Sequence, residues 1–242
     1  MRYGIFADIH SNLEALTVVL SALKDEHVAG YYCCGDVVGY GANPRECLAE
    51  VKRVGIVCAA GNHDWAVAEK IGTDNFNLHA QAGVVWTRQR LNEQEKDFLG
   101  NFDLVYRNKD FILVHGTLDC PKDFDYLESG SQAAQSFVVM DRSICFVGHT
   151  HIPGIFIKKN NKVSDLLKFD KVTVDPGCHY IVNVGSVGQP RDRNPKAAYC
   201  IFDSSEKTIE IKRIEYNVSV AKKKILDSGL PSELGARLVS GQ

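Results

Sequence analysis

Five short apolar runs in this chain each end in a cluster of Asp, Asn or His. They are YGIFADIH (Tyr3 to His10), YYCCGD (Tyr31 to Asp36), GIVCAAGNHD (Gly55 to Asp64), FILVHG (Phe111 to Gly116) and ICFVGHTH (Ile144 to His151). Each reads as a buried strand, because a few apolar residues with β-branched and aromatic content are bounded by Gly or polar residues. In open α/β sheets, ligands sit in the crevice beyond the carboxyl ends of the strands. Strands that deliver carboxylates, imidazoles and one carboxamide to such ends describe a metal site.

The segments between the runs supply the rest of the architecture. A helix is expected over Leu13 to Asp25, with Ser11 as its N-cap and Leu13, Leu16, Leu20 and Leu23 at helical spacing. Strand Tyr31 to Cys34, a helix near Arg45 to Val54 and strand Ile56 to Ala60 continue as βαβ units, which favour parallel pairing. Two helices follow, Asn77 to Leu91 and Asn92 to Leu99, the second opening on an Asn-x-x-Glu capping pattern. Phe102 to Arg107 and Phe111 to Val114 read as a hairpin. Later strands are expected at Ile144 to Val147, Gly154 to Lys158, Tyr180 to Val184, Tyr199 to Phe202 and Ile209 to Glu215. The lysine-rich stretch from Lys158 to Asp170 reads as an exposed loop or hairpin tip, and the tail from Val218 as helical with a break at Gly229 to Pro231. Two groups of strands among helices predict an α/β chain with two sheets packed together and covered by helices, one domain over residues 1–242.

Bulk composition narrows the partners. With 242 residues, 45% of them hydrophobic, the chain can bury one sizeable core. The 28 basic and 30 acidic residues give a net charge of −2, which leaves no electrostatic footprint for a long nucleic acid or an anionic membrane. No apolar stretch approaches the roughly 20 residues a membrane-spanning helix needs. No secretory pattern precedes Tyr3, so the cytoplasm is the expected compartment. The eight cysteines are scattered without a C-x-x-C pair, which argues against a zinc or disulfide framework. Cys33, Cys34, Cys58 and Cys145 fall inside expected strands, as small buried hydrophobes.

Hard and borderline divalent metals take carboxylate oxygens and neutral imidazole nitrogens. Asp8 and His10, two residues apart after a strand, can turn towards one ion. Asp36 stands where one carboxylate can bridge two ions, and Asn62 offers a neutral oxygen. His115, His149 and His151 complete two sites. Seven ligands with a shared Asp match the two-metal centres that hydrolyse phosphate esters. Any one motif alone has a bland explanation as a cap or turn, but five of them at strand ends do not. His27, His79 and His179 are read as a helix-end residue, a core-edge residue and a strand neighbour without acidic company.

DIH, GD, GNHD, VHG and GHTH, in this order, resemble the calcineurin-like metallophosphoesterase superfamily. The strings DIHSNLEAL, GDVVGYGANP, GNHDWAV and NVGSVGQPRD look like its small single-domain prokaryotic branch. The resemblance implies a four-layer αββα sandwich of two mixed β-sheets flanked by helices. It implies two divalent ions (Mn, Fe, Zn, Co or Ni), one on Asp8, His10, Asp36 and His151 and the other on Asp36, Asn62, His115 and His149. It makes His63 the general acid on the leaving alkoxide, oriented by Asp64. An imidazole beside a carboxylate is expected to stay protonated at higher pH. The resemblance also leaves homodimerisation open.

One departure bears on the substrate. Phosphoprotein phosphatases of the superfamily carry an Arg shortly after the GD motif; here the stretch is GDVVGYG, with Tyr40 and no Arg. Arginine forks are the usual bidentate phosphate grips, so phosphodiesters or nucleotides are favoured over phosphoproteins and monoesters. Arg191 is either the remaining phosphate contact or a solvated loop residue, and Asn12 and Tyr40 are candidates for the pocket wall. The competing readings are a nuclease, a dinucleoside polyphosphate hydrolase and a non-catalytic metal-binding scaffold. Retention of His63 and all seven ligands speaks against the scaffold.

Overall fold

The computed structural model describes all 242 residues. Chain order is β1 (Arg2–Phe6), α1 (Leu13–Asp25), β2 (Gly30–Cys33), α2 (Pro44–Val54), β3 (Val57–Cys58), α3 (Asn62–Val67), α4 (Leu78–Arg88) and α5 (Glu93–Gly100). The hairpin β4 (Val105–Arg107) and β5 (Ile112–Val114) comes next, then α6 (Gly130–Val139) and β6 (Ile144–Val147). There follow β7 (Gly154–Lys159), β8 (Lys162–Val163), β9 (Lys171–Thr173), β10 (Cys178–Asn183), β11 (Ala197–Asp203), β12 (Thr208–Ile214), α7 (Val218–Asp227) and α8 (Ser232–Ser240). No helix is long and apolar enough to cross a membrane.

Two six-stranded sheets result, ordered β3-β2-β1-β11-β12-β9 and β4-β5-β6-β10-β7-β8. Both are mixed: β1, β2 and β3 run parallel, as do β5, β6 and β10, while the remaining pairs are antiparallel. The two-residue period of a strand sorts its side chains into layers. From β1, Tyr3, Ile5 and the following Ala7 enter the core between the sheets, where they meet Phe111, Leu113, Phe146, Val182 and Phe202. Phe6 points the other way, into the core under α1 and α2 with Leu16, Leu23, Leu48 and Val51. A third core lies between the second sheet and α6, built on Ile112, Phe137, Cys145 and Ile181. Three nested cores make four layers, αββα. Phe6, Phe111, Phe146 and Phe156 are fully buried, and burying such a side chain contributes about 1.5–3 kcal/mol.

Details differ from the sequence expectations where local rules admit two answers. Asn12, not Ser11, caps α1: its Oδ1 accepts the Ala15 N–H at 3.1 Å. Cys58 is half-buried, while every cysteine is a free thiol. The lysine-rich stretch does hold a hairpin tip at β7–β8, but it ends against the short strand β9 on the other sheet. The capping box of α5, between Asn92 and Glu95, forms as expected.

Candidate metal centre

The backbone bends sharply where each ligand-bearing strand ends. Asp8, His10, Asp36, His149 and His151 all have positive φ, between 47° and 69°. Non-glycine residues in this left-handed region cost of order 1–3 kcal/mol each and persist only where the surroundings fix them. The fixing contacts are visible. The loops after β1 and β2 stay zipped, with Asp8 N–H donating to Gly35 O at 2.9 Å and His10 N–H to Asp36 O at 3.0 Å. The second sheet closes on them through His149 N–H, which donates to Asp8 Oδ2 at 3.0 Å. Gly61 is required by contact: a Cβ there would stand 2.0 Å from Asp36 Oδ1.

All seven expected ligands converge at this junction. Asp8, His10 and His151 offer ligand atoms within 4.8 Å of one another, as do Asp36, His115 and His149. Asn62 joins the second group, its Oδ1 3.2 Å from His115 Nε2. Asp36 Oδ2 stands between the groups, 3.5 Å from His10 Nε2 and 3.3 Å from His115 Nε2. His10, His115 and His151 each turn Nδ1 onto a backbone carbonyl, Val38 O at 3.2 Å, Cys34 O at 2.8 Å and Gln189 O at 2.5 Å. Metal-ligating histidines do this routinely, because the outer bond fixes the ring and leaves Nε2 for the ion.

The donor set fits cations on two further counts. Asp8 Oδ1 is buried with no hydrogen-bond partner, 3.3 Å from His151 Nε2. His10 Nε2 and His151 Nε2 lie 3.1 Å apart, close to the spacing of two nitrogens that each bind one ion at about 2.0–2.1 Å. Burial pulls the His10 and His149 imidazoles well below their usual value. Burial acts on His115 in the same direction, but Asp36, in contact with it, and Asp8 outweigh it and push the ring up to about 9. Burial would raise Asp36, yet His115, His63 and His10 around it hold the carboxyl well below the carboxylate range.

His63 lies at the same junction, grouped with His10 and Asp36. Its ring packs against Tyr40 at 4.5 Å and Phe76 at 5.0 Å, and its Nδ1 has no hydrogen-bond partner. Gly39, with φ of 103°, makes the room: a Cβ there would sit 2.5 Å from that nitrogen. The expected His63–Asp64 pairing is absent. Adjacent residues on a helix do not face each other, and Asp64 instead accepts Val38 N–H at 3.1 Å and Gly61 N–H at 3.2 Å. Its carboxylate therefore braces the backbone of the two ligand loops. Burial lowers His63 to about 4, against the pull of Asp36, so the free imidazole is neutral at neutral pH, contrary to the sequence expectation.

A cavity of about 760 Å³ opens over the centre, within the usual range for ligand pockets. Arg191, Tyr40 and His63 line it together with Phe76, Phe124 and Tyr126. Arg191 donates to Gln189 Oε1 at 3.2 Å and reaches the Tyr40 hydroxyl at 3.4 Å. Asn12 is a different case. With Oδ1 on the helix cap and Nδ2 donating to Gly188 O at 2.8 Å, its carboxamide is spent on the backbone.

Sequence reasoning missed the residues that hold the ligands in place. Asn183, at the end of β10, donates to Gly148 O at 2.7 Å and Thr150 Oγ1 at 2.9 Å and so shapes the GHTH turn. Ser186 binds Asp8 O at 2.9 Å and accepts Gln189 N–H at 2.8 Å, tying the following strap beneath β1. Tyr126 stacks on His149 at 4.1 Å. The NVGSVGQPRD string after a strand was the available signal for the first two; Tyr126 had none.

Two mixed sheets that pool Asp and His side chains where their parallel strands end define an α/β protein built around a metal-binding cluster. Residues 1–207 match the calcineurin-like phosphoesterase superfamily domain, and the chain belongs to that superfamily. The uncharacterized protein MJ0912 of Methanocaldococcus jannaschii is 38% identical over 243 residues, 99% of this chain and 98% of that protein. The crystal structure of a metallophosphoesterase from Sphaerobacter thermophilus is similar at a TM-score of 0.86 and 34% identity, over 100% of this chain and 99% of that one. Hypothetical protein PH1004 from Pyrococcus horikoshii OT3 shares the fold at a TM-score of 0.82 and 20% identity, over 100% and 98% of the two chains.

Proposed function

We propose that this chain is a two-metal phosphoesterase that hydrolyses phosphodiester or nucleotide-type substrates. The observation that carries the reading is the position of Asp36 Oδ2 between two groups of inward-facing imidazole nitrogens. Asp8, His10, Asp36 and His151 would hold one divalent ion, and Asp36, Asn62, His115 and His149 the other. Ions so held supply Lewis-acid stabilisation of charge building on the phosphoryl group and lower the pKa of the attacking water.

The remaining roles belong to side chains of the cavity. Arg191 is a half-buried guanidinium without a carboxylate partner and contacts a non-bridging phosphoryl oxygen, with the Tyr40 hydroxyl beside it. His63 gives a proton to the leaving oxygen. Burial keeps it neutral in the free site; the negative charge of a bound phosphoryl group favours the imidazolium and loads that proton. Asp64 acts as a positioning residue through the Val38 and Gly61 amides. A single guanidinium in the cavity suits a diester monoanion better than the dianion of a monoester.

The test is hydrolysis of bis(p-nitrophenyl) phosphate and p-nitrophenyl phosphate by chelated protein with single metals restored. Turnover of the diester that returns with Mn²⁺ or a similar ion supports the reading. Ions bound without turnover of either ester would move it to the scaffold alternative.

A further inference from the structure

A second cavity, of about 500 Å³, adjoins the first on the side of the C-terminal helices. Its walls include His79 of α4 and Glu233, Arg237 and Ser240 of α8. Asn77 and Arg191 line both cavities, so the two spaces meet at Arg191. Helices α7 and α8 lie beyond residues 1–207, the part matched by the superfamily domain.

Its charges are arranged for an anion. Seven of the chain's arginines, Arg2, Arg53 and Arg213 among them, pair with carboxylates, and Arg90 lies over the Trp86 ring. Arg191 forms no ion pair: its partners are a phenol and a carboxamide. Arg237 is half-buried in the cavity wall and pairs with no carboxylate, although Glu233 stands one helical turn away on α8. Two half-buried guanidiniums that form no ion pair, Arg191 where the two cavities meet and Arg237 in the wall of the second with Glu233 as the one acidic side chain there, match phosphate oxygens in geometry and charge.

We propose that the α8 cavity is a subsite for a second anionic group on the substrate, a terminal phosphate carried by one of the two ester substituents. The inference rests on the phosphodiesterase reading for the scissile bond and adds the substituent that the enzyme prefers. Arg237 binds the terminal phosphate, and Arg191 separates it from the phosphodiester at the cluster.

The test compares the dinucleotides pApA and ApA, each with a phosphorothioate linkage to slow cleavage, by calorimetry on metal-loaded protein. The phosphorylated form should bind about tenfold tighter, the effect of one charge-assisted contact. Arg237→Ala should bring the two affinities together, and Arg237→Lys should keep most of the difference. Glu233→Gln should widen the difference by removing the nearby negative charge, an effect that a folding defect would not produce. Equal binding by the unaltered protein, or a preference that survives Arg237→Ala, would overturn the proposal. Turnover of bis(p-nitrophenyl) phosphate by the same preparation is followed in parallel. Its absence would bring down the phosphodiesterase reading, while the binding comparison still decides whether the subsite exists.

Discussion

The Nε2 atoms of His10 and His151 face each other at 3.1 Å, with both Nδ1 atoms turned outward to carbonyl oxygens. With a proton on each Nδ1 the two inner lone pairs point at one another, an arrangement that repels unless a cation lies between or beside them. Asp8 Oδ1, buried and unpartnered, adds negative charge at the same place. Metal removal should therefore destabilise the fold as well as silence it. At a hundredfold excess over Kd, ligand linkage is worth about 2.7 kcal/mol. At roughly 2–4 °C per kcal/mol for a domain of this size, Mn²⁺ or Zn²⁺ added to chelated protein should raise Tm by about 5–10 °C in calorimetry. No shift at saturating metal would contradict this account of the cluster.

Metal uptake should release protons. His115 is raised to about 9 in the metal-free protein, so at pH 7 it carries the proton that an ion must displace. Metal affinity should climb by up to about tenfold per pH unit and level off above pH 9, as the linkage of one proton requires. The sign for the apo fold is opposite. A pKa above the unfolded value of about 6.5 gives stabilisation that is complete below that pH and fades as pH rises through about 9. Calorimetric titration in buffers of different ionisation enthalpy counts the protons, and zero release at pH 7 would show His115 already neutral before the metal arrives.

His63→Ala should discriminate between leaving groups. A proton donor contributes about 10²–10⁴ in rate, but only where the departing oxygen needs a proton. Diesters of simple alcohols should lose that factor, while p-nitrophenyl esters, whose phenolate leaves unaided, should lose far less. Metal content measured by elemental analysis should stay unchanged. An equal loss on both substrates would deny His63 the donor role.

Asn183→Ala should act at a distance from the chemistry. It leaves the buried Gly185 N–H without its acceptor, Asn183 Oδ1, which costs about 1–3 kcal/mol. Metal affinity should fall about 10–100-fold, the usual effect of losing an outer-shell contact. Chemical denaturation and metal titration of the variant measure the two effects separately.

The residues of the cluster were legible because each is a polar residue at the exit of an apolar strand, a position that offers few structural excuses. Their surroundings were less so. Ser11 and Asn12 both satisfy the cap rule, and only the turn after β1 decides for Asn12. Neighbours in sequence suggested that Asp64 holds His63, but the helical rotation between them sends the carboxylate to the Val38 and Gly61 amides. Helix α6 went unread although Ser129 and Gln132 form its capping box, because Val138 and Val139, both exposed, blur the spacing of the buried Ala133 and Phe137. Strand β9, three residues at a sheet edge, exists through its pairing with β12 and carries no pattern of its own.

The pairing of β1 has a consequence for how the protein is made. This first strand lies between β2 and β11, and the strap that ties Asp8 arrives with Ser186 and Gly188. Asp8 and His10 are thus synthesised long before the segments that brace them, and long-range closure of this kind is slow. The cluster is complete only once β11 and the strap through Ser186 have closed beside this first strand.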